Sequence, residues 1–268
     1  MWQLALIGVG FVLSACDLFQ DRKKTEIEPE PLGKCPNGYC EIPGGSFQMG
    51  STSGDLDAQP VKTVTMTGFQ LGQTEVSVGQ YREFLAKSGT QLNAVIFGIP
   101  ENQKGDNYPV VGLVYDEKRA YCQAQGGDLP TAAQLHFTYQ YHEQYSTTKG
   151  KDQRVILDNG FRSTEPVDDG YKNRFGVFNL RGNVWESTRD RYESDFYSRM
   201  VSKDPYNPLT DQKTQWEEFT DGLFSHFQGP PPLARRRFSY PNLRAAGAGF
   251  RCARPLPQDS PPKAASKK

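Results

Sequence analysis

Three groups of residues in this chain have side chains suited to chemistry: five cysteines, three histidines and an oxygen-rich run ending at Glu186. The cysteines are Cys16, Cys35, Cys40, Cys122 and Cys252, an odd number that cannot all pair with one another. Cys35 and Cys40 flank a Pro-Asn-Gly turn in CPNGYC. That spacing is open to a local disulfide or to half of a zinc site, although no second ligand pair is in sight. The run Asn179-Leu180-Arg181-Gly182-Asn183-Val184-Trp185-Glu186 offers carboxylate, amide and carbonyl oxygens. These are hard ligands suited to calcium; the competing reading is a loop braced by hydrogen bonds alone. His136 and His142 are six apart and so fall on different faces of a helix, while His226 is isolated. Ordinary hydrogen-bonding roles are expected for all three. Arg235-Arg236-Arg237, Arg244 and Arg251 are candidates for an anion-reading patch or for internal ion pairs.

Elements must hold these residues in place, and the sequence marks several. Cys40–Gly50 reads as a short strand, a Gly-Gly turn and a second short strand. Val61–Thr67 alternates apolar and polar residues as a half-buried strand does, and Phe69–Glu75 is expected to continue the sheet. Ser77 then caps a helix that places Tyr81, Phe84 and Leu85 on one face and stops at Gly89. A second helix is predicted over Asp116–Ala124, with Ala120, Tyr121 and Cys122 near the core. A third has Thr131 as cap and Ala132–Tyr139 as body. Residues 146–160 give no clear element, and 192–232 read as irregular. Long connections of this kind call for reinforcement by disulfides or metal ions.

The ends of the chain differ from its middle. Residues 1–15, MWQLALIGVGFVLSA, carry no charge and are too few to span a bilayer, which takes about 20. They run into Leu13-Ser14-Ala15-Cys16, which resembles a bacterial lipoprotein signal: an aliphatic residue, two small ones, then the cysteine to be lipidated. The resemblance implies cleavage before Cys16, lipid on Cys16 and attachment to the inner or outer membrane of a bacterial envelope. The usual basic residue ahead of the apolar run is missing. Residues 16–34 read as a flexible tether and 256–268 as a disordered tail, which leaves a folded domain over 35–255. With 31 basic and 31 acidic side chains the chain lacks the basic excess of a dedicated nucleic-acid binder. A mean hydropathy of −0.67 excludes a polytopic membrane protein.

Taken in order, IPGGSFQMGS (42–51), QPVKTVTMTGFQLGQTEVSVGQYREFL (59–85), YPVVGLVYDEKRAYCQAQGGDLPTAAQL (108–135), EPVDDGYKNRFGVFNLRGNVWESTRD (165–190) and AGFRCARP (248–255) resemble the formylglycine-generating enzyme, or sulfatase-modifying factor, family. The resemblance implies an α+β fold related to C-type lectins, with little regular secondary structure and long loops. It implies a Cys122–Cys252 disulfide. It also implies a calcium site made by the side chains of Asn179 and Glu186 and the carbonyls of Gly182 and Val184. Active members use copper and two cysteines between the Trp-Glu segment and the final GFR to oxidise a sulfatase cysteine. Here Ser187–Gly249 contains no cysteine, and the family's PTEAEWEYA segment has become PTAAQLHFTYQ. A copper thiolate site needs soft sulfur ligands, so neither copper nor iron is expected and no catalytic residue is assigned.

The expectation that follows is a non-catalytic, lipid-anchored scaffold or partner-binding module of a multiprotein envelope complex, in an oxidising periplasmic or extracellular compartment. Two alternatives stand beside it: a divergent metal-dependent oxidoreductase or peptide-modifying enzyme, and a carbohydrate or small-ligand binder suggested by the lectin-like fold alone. Residues 88–107 and 192–232, where the resemblance fails, are the first places to seek a partner-binding face.

Overall fold

Short strands that leave one sheet for another dominate the architecture. The computed structural model describes residues 33–52, 55–89, 105–140, 164–169, 172–180, 182–210, 216–220, 236–245 and 247–257. The expected signal, Cys16, nearly all of the tether and tail, Arg235, His142 and His226 lie outside these residues, as does the segment 146–160. Among the described residues, nine strands form three sheets. Strands β1 (Tyr39–Ile42), β4 (Phe69–Gly72) and β9 (Ala253–Pro255) make the first, with β4 central and both pairings antiparallel. Strands β2 (Gly45–Met49) and β3 (Lys62–Met66) pair antiparallel as the second. In the third, order β7-β6-β5-β8, β5 (Trp185–Tyr192) pairs antiparallel with β6 (Trp216–Thr220) and parallel with β8 (Ala248–Gly249). Strand β7 (Arg237–Ser239) closes the outer edge of β6.

The helices start where the capping chemistry places them. In α1 (Val78–Lys87), Ser77 Oγ accepts from the Gln80 amide and Gln80 Oε1 accepts from the Ser77 amide, at 3.2 and 2.9 Å. Thr131 and Gln134 repeat this reciprocal box at the start of α3 (Ala132–Tyr139), at 3.1 and 2.9 Å. α3 is buried along its whole length and packs on β2, β3, β5 and β6, with Phe137 edge-on to Phe47 at 5.5 Å. α2 (Tyr115–Ala124) turns Tyr115, Lys118, Tyr121 and Cys122 inward, and α4 (Phe196–Arg199) is a single turn. Two large apolar clusters result, one between the first two sheets, α3 and α4, the other between α1, α2 and Phe250, beside a small contact of Val111 with Val184.

Both disulfides form, Cys35–Cys40 and Cys122–Cys252. The zinc half-site reading of CPNGYC therefore gives way to a local disulfide. The second bridge ties α2 to the residue preceding β9 across 130 positions, worth about 5 kcal/mol in the chain-entropy model.

Three expectations are corrected. Phe69–Glu75 does not continue the β2–β3 sheet: β4 pairs with β1 and β9 instead, and its four residues are all buried because both faces are covered. Ala120 is exposed, and the inward position belongs to Lys118, three residues after Tyr115 and four before Cys122. The stretch 192–232 is not wholly irregular, since it holds α4 and β6.

Candidate functional site

The oxygen-rich run folds into a tight loop. Asn179, Gly182 and Asn183 all have left-handed backbone, with φ of 50°, 98° and 64°. Glycine and asparagine are the residues that adopt this conformation at least cost. Upstream, Asn173 Oδ1 accepts from the amides of Phe175 and Val177, each at 3.0 Å, which folds 173–177 into a turn. Phe178 then donates its amide to Gln73 O at 2.7 Å, delivering Asn179 to the end of β4. Downstream the chain enters β5, so Glu186 is held by a strand paired on both edges.

The centre of this arrangement is Glu75, a residue the sequence reading did not single out. It is fully buried, two positions ahead of the α1 cap. Its Oε1 accepts from Asn183 Nδ2 at 2.9 Å and its Oε2 from Asn179 Nδ2 at 3.3 Å. Asn183 also clamps Glu165, accepting its amide hydrogen and donating to its carbonyl. Arg251, also fully buried, pairs through Nε and Nη2 with Glu186 Oε1 at 2.7 and 2.5 Å. The rest of its guanidinium donates to Gly72 O at 3.1 Å and Phe178 O at 2.9 Å. One side chain thus joins β4, the 172–180 loop, β5 and the approach to β9. Of the five arginines set between an anion reader and internal pairing, Arg251 and Arg244 are internal. Arg244 holds Glu117 bidentately at 2.7 Å, and Arg236 donates to the carbonyls of Asp57 and Glu193.

Burial dominates the electrostatics. It pushes the Glu75 carboxyl up to about 7, against the pull of Arg251 and with the push of Glu186. It raises Glu186 as well, although Arg251 opposes this. With both carboxylates ionised, two negative charges face the single positive charge of Arg251, a surplus of one. Glu186 Oε2 and Asn179 Oδ1 take no hydrogen bond among the described residues, while Gly182 O accepts the Val184 amide at 2.9 Å. These donors and that surplus charge suit a hard cation in the expected set Asn179, Gly182, Val184 and Glu186. No group of three His, Cys, Asp or Glu side chains is placed to hold a metal among the described residues, so such a site must draw on amide and carbonyl oxygens.

Next to this cluster Lys118 Nζ donates to Ser187 Oγ and Glu217 Oε1 at 2.5 and 2.7 Å, with every partner buried. The sequence reading did not single out Lys118, whose charge suggests an outward position. His136 is also buried, and its Nε2 has no hydrogen-bond partner, contrary to the ordinary bonded histidine expected. Burial, with Arg236 nearby, pulls its pKa down to about 4.

Residues 23–256 match the Sulfatase-modifying factor enzyme 1-like domain. The chain is 23% identical to a formylglycine-generating enzyme of Streptomyces coelicolor, across 84% of this chain and 92% of that protein. It is 24% identical to the inactive C-alpha-formylglycine-generating enzyme 2 of Bos taurus, across 80% of this chain and 86% of that one. Among solved structures, PvdO from Pseudomonas aeruginosa superposes with a TM-score of 0.65 at 21% identity, covering 81% of this chain and 94% of its own.

Proposed function

The chain belongs to the sulfatase-modifying factor enzyme 1-like domain family, and from that premise we propose that it is a non-catalytic member, lipid-anchored through Cys16. It acts as a scaffold or partner-binding module in a multiprotein complex of the bacterial cell envelope, in an oxidising compartment. The observation that carries the reading is the fate of the cysteines. Four are consumed in the two disulfides, the fifth is Cys16, and none stands between Ser187 and Gly249. No thiol remains for copper. An inactive protein among the relatives supports the reading, because it shows a family member that does without the reaction.

Calcium belongs to the same proposal. Asn179 and Glu186 would hold it through side-chain oxygens, and Gly182 and Val184 through their carbonyls. When bound, the ion would neutralise the surplus carboxylate charge beside Arg251 and fasten the loop to β5. The protein residues fix the geometry around it: Asn183 and Glu75 hold the loop, and Arg251 fixes one oxygen of Glu186.

Crosslinking in intact cells, followed by capture of the lipidated chain from solubilised membranes, tests the scaffold role. The expected result is one or more envelope proteins recovered reproducibly in fixed ratio to the bait. Recovery of none above background, or an unmodified Cys16 in the mass spectrum of the exported chain, counts against it.

A further inference from the structure

A cleft of about 500 Å³ lies between the β3–β4 turn, the loop joining α2 to α3, and β9, and none of the Glu75–Arg251 cluster lines it. Its floor is set by a close backbone approach. A Cβ on Gly127 would lie 2.1 Å from Ala253 O, so only glycine lets the α2–α3 loop lie against β9. The walls are mixed: Met66, Leu129 and Pro255 are apolar, and Arg189 and Arg254 are cationic.

The two cleft arginines differ from those that form ion pairs. Arg82, Arg119, Arg191, Arg199, Arg244 and Arg251 each pair with a carboxylate. Neither cleft arginine has an acidic partner among the described residues. Each is instead stacked on a tyrosine: Arg189 lies 4.2 Å from the Tyr206 ring centroid and Arg254 lies 3.8 Å from that of Tyr39. Arg254 Nε is further fixed by Gln70 Oε1 at 2.6 Å, whereas Arg189 Nε is enclosed with no hydrogen-bond partner. The acidic residues of the cleft are already engaged. Asp128 is held by Arg119 at 2.8 and 2.5 Å and by the Leu129 amide, and Asp204 accepts from the amide and hydroxyl of Thr67, both at 2.7 Å. Arg119 neutralises Asp128, whereas Asp204 keeps its charge because Thr67 supplies neutral donors only, so two unpaired guanidinium groups face one unpaired carboxylate and the cleft stays net positive. Stacking holds the planar forks in place before a ligand arrives, which lowers the ordering cost of binding. A guanidinium fork matches a carboxylate in geometry as well as charge.

We propose that this cleft binds an acidic peptide segment, with Arg189 and Arg254 taking its carboxylates and the apolar wall covering the aliphatic part of a glutamate. The choice of a peptide rests on the partner-binding reading above. The test uses purified full-length protein and defined probes, so it can fail while capture from membranes succeeds, and the reverse.

The experiment is an NMR titration that follows the arginine Nε–H signals, with N-acetyl-Glu-Glu-Glu-amide, its Gln-Gln-Gln counterpart and inorganic phosphate as probes. The glutamate peptide is expected to shift the Arg189 signal in a saturable way, while the glutamine peptide leaves it in place. Arg189→Gln and Arg254→Gln should each weaken binding about tenfold, equivalent to about 1.4 kcal/mol. The Arg254 variant, altered at the rim, keeps the test meaningful if the Arg189 variant folds poorly. Equal response to the glutamine peptide, or phosphate binding as tightly as the glutamate peptide, overturns the proposal. So does an Arg189 signal that stays fixed at millimolar glutamate peptide.

Discussion

Arg251→Met should be among the most damaging single substitutions in the chain. The methionine fills much of the same space but supplies no donor. Glu186 Oε1 would lose two charge-assisted contacts, and the carbonyls of Gly72 and Phe178 would lose one each. Glu75 and Glu186, both fully enclosed, would then face each other with no internal cation. Removing one partner of a buried pair costs about 3–5 kcal/mol, because the remaining charge stays buried and uncompensated. Such a loss is a large fraction of the total stability of a domain, about 5–15 kcal/mol. Arg251→Lys should fall between the variant and the parent, since one ammonium cannot span the three acceptors that the planar fork reaches. The assay is urea unfolding followed by near-ultraviolet circular dichroism in metal-free buffer. It is run on the parent, Arg251→Met, Glu186→Gln and the double variant. The double variant should recover at least about 2 kcal/mol of the loss, because a neutral amide no longer needs the guanidinium. A single-variant loss under about 1 kcal/mol, with no recovery in the double, would refute the assignment of Arg251 as the internal counter-ion.

Other expectations concern sites away from that cluster. Lys118→Met should destabilise by about 3–5 kcal/mol by stranding Glu217, and Lys118→Met/Glu217→Met should regain most of it; equal losses in the two would contradict a coupled pair. The His136 pKa is lowered on folding from 6.5 to about 4, so the unfolded chain takes up the proton first as pH falls. Its contribution is intact above pH 6.5 and is lost towards pH 4, a change of about 3 kcal/mol. His136→Gln should flatten the unfolding free energy across that window, and an unchanged slope would show that His136 is not the group responsible. Replacing Cys122 and Cys252 by serine should cost about 2–5 kcal/mol in thermal or urea unfolding, and a smaller loss would mean that the crosslink restrains the unfolded chain less than its 130-residue span implies.

How much of this was legible in the sequence depends on the range of the interaction. The helix starts were legible because Ser77 with Gln80 and Thr131 with Gln134 are complete local signals. Strand identities were legible from alternation, but their partners were not. β4 is covered on both faces, and nothing in its four residues names a partner more than 180 residues away at β9. The loop of Asn179, Gly182 and Glu186 was visible through its residue types and the family resemblance. Glu75 was hidden because a single carboxylate within an otherwise apolar and polar-neutral run looks like a surface residue. Only the fold brings it to Asn179 and Asn183, more than 100 positions on. Lys118 shows the same limit in a helix: Ala120 was expected inward in its place, and only the distant Glu217 explains why a charge can stay there.

The central proposal is that this chain keeps the family fold without the copper chemistry that the resemblance implies for active members. Metal analysis of the purified chain by inductively coupled plasma mass spectrometry, after dialysis against calcium-containing buffer, tests it most directly. The account predicts about one calcium ion per chain and copper and iron at background, because Asn179 and Glu186 offer hard oxygens and every cysteine of the domain is in a disulfide. Copper or iron retained at one equivalent per chain would contradict it.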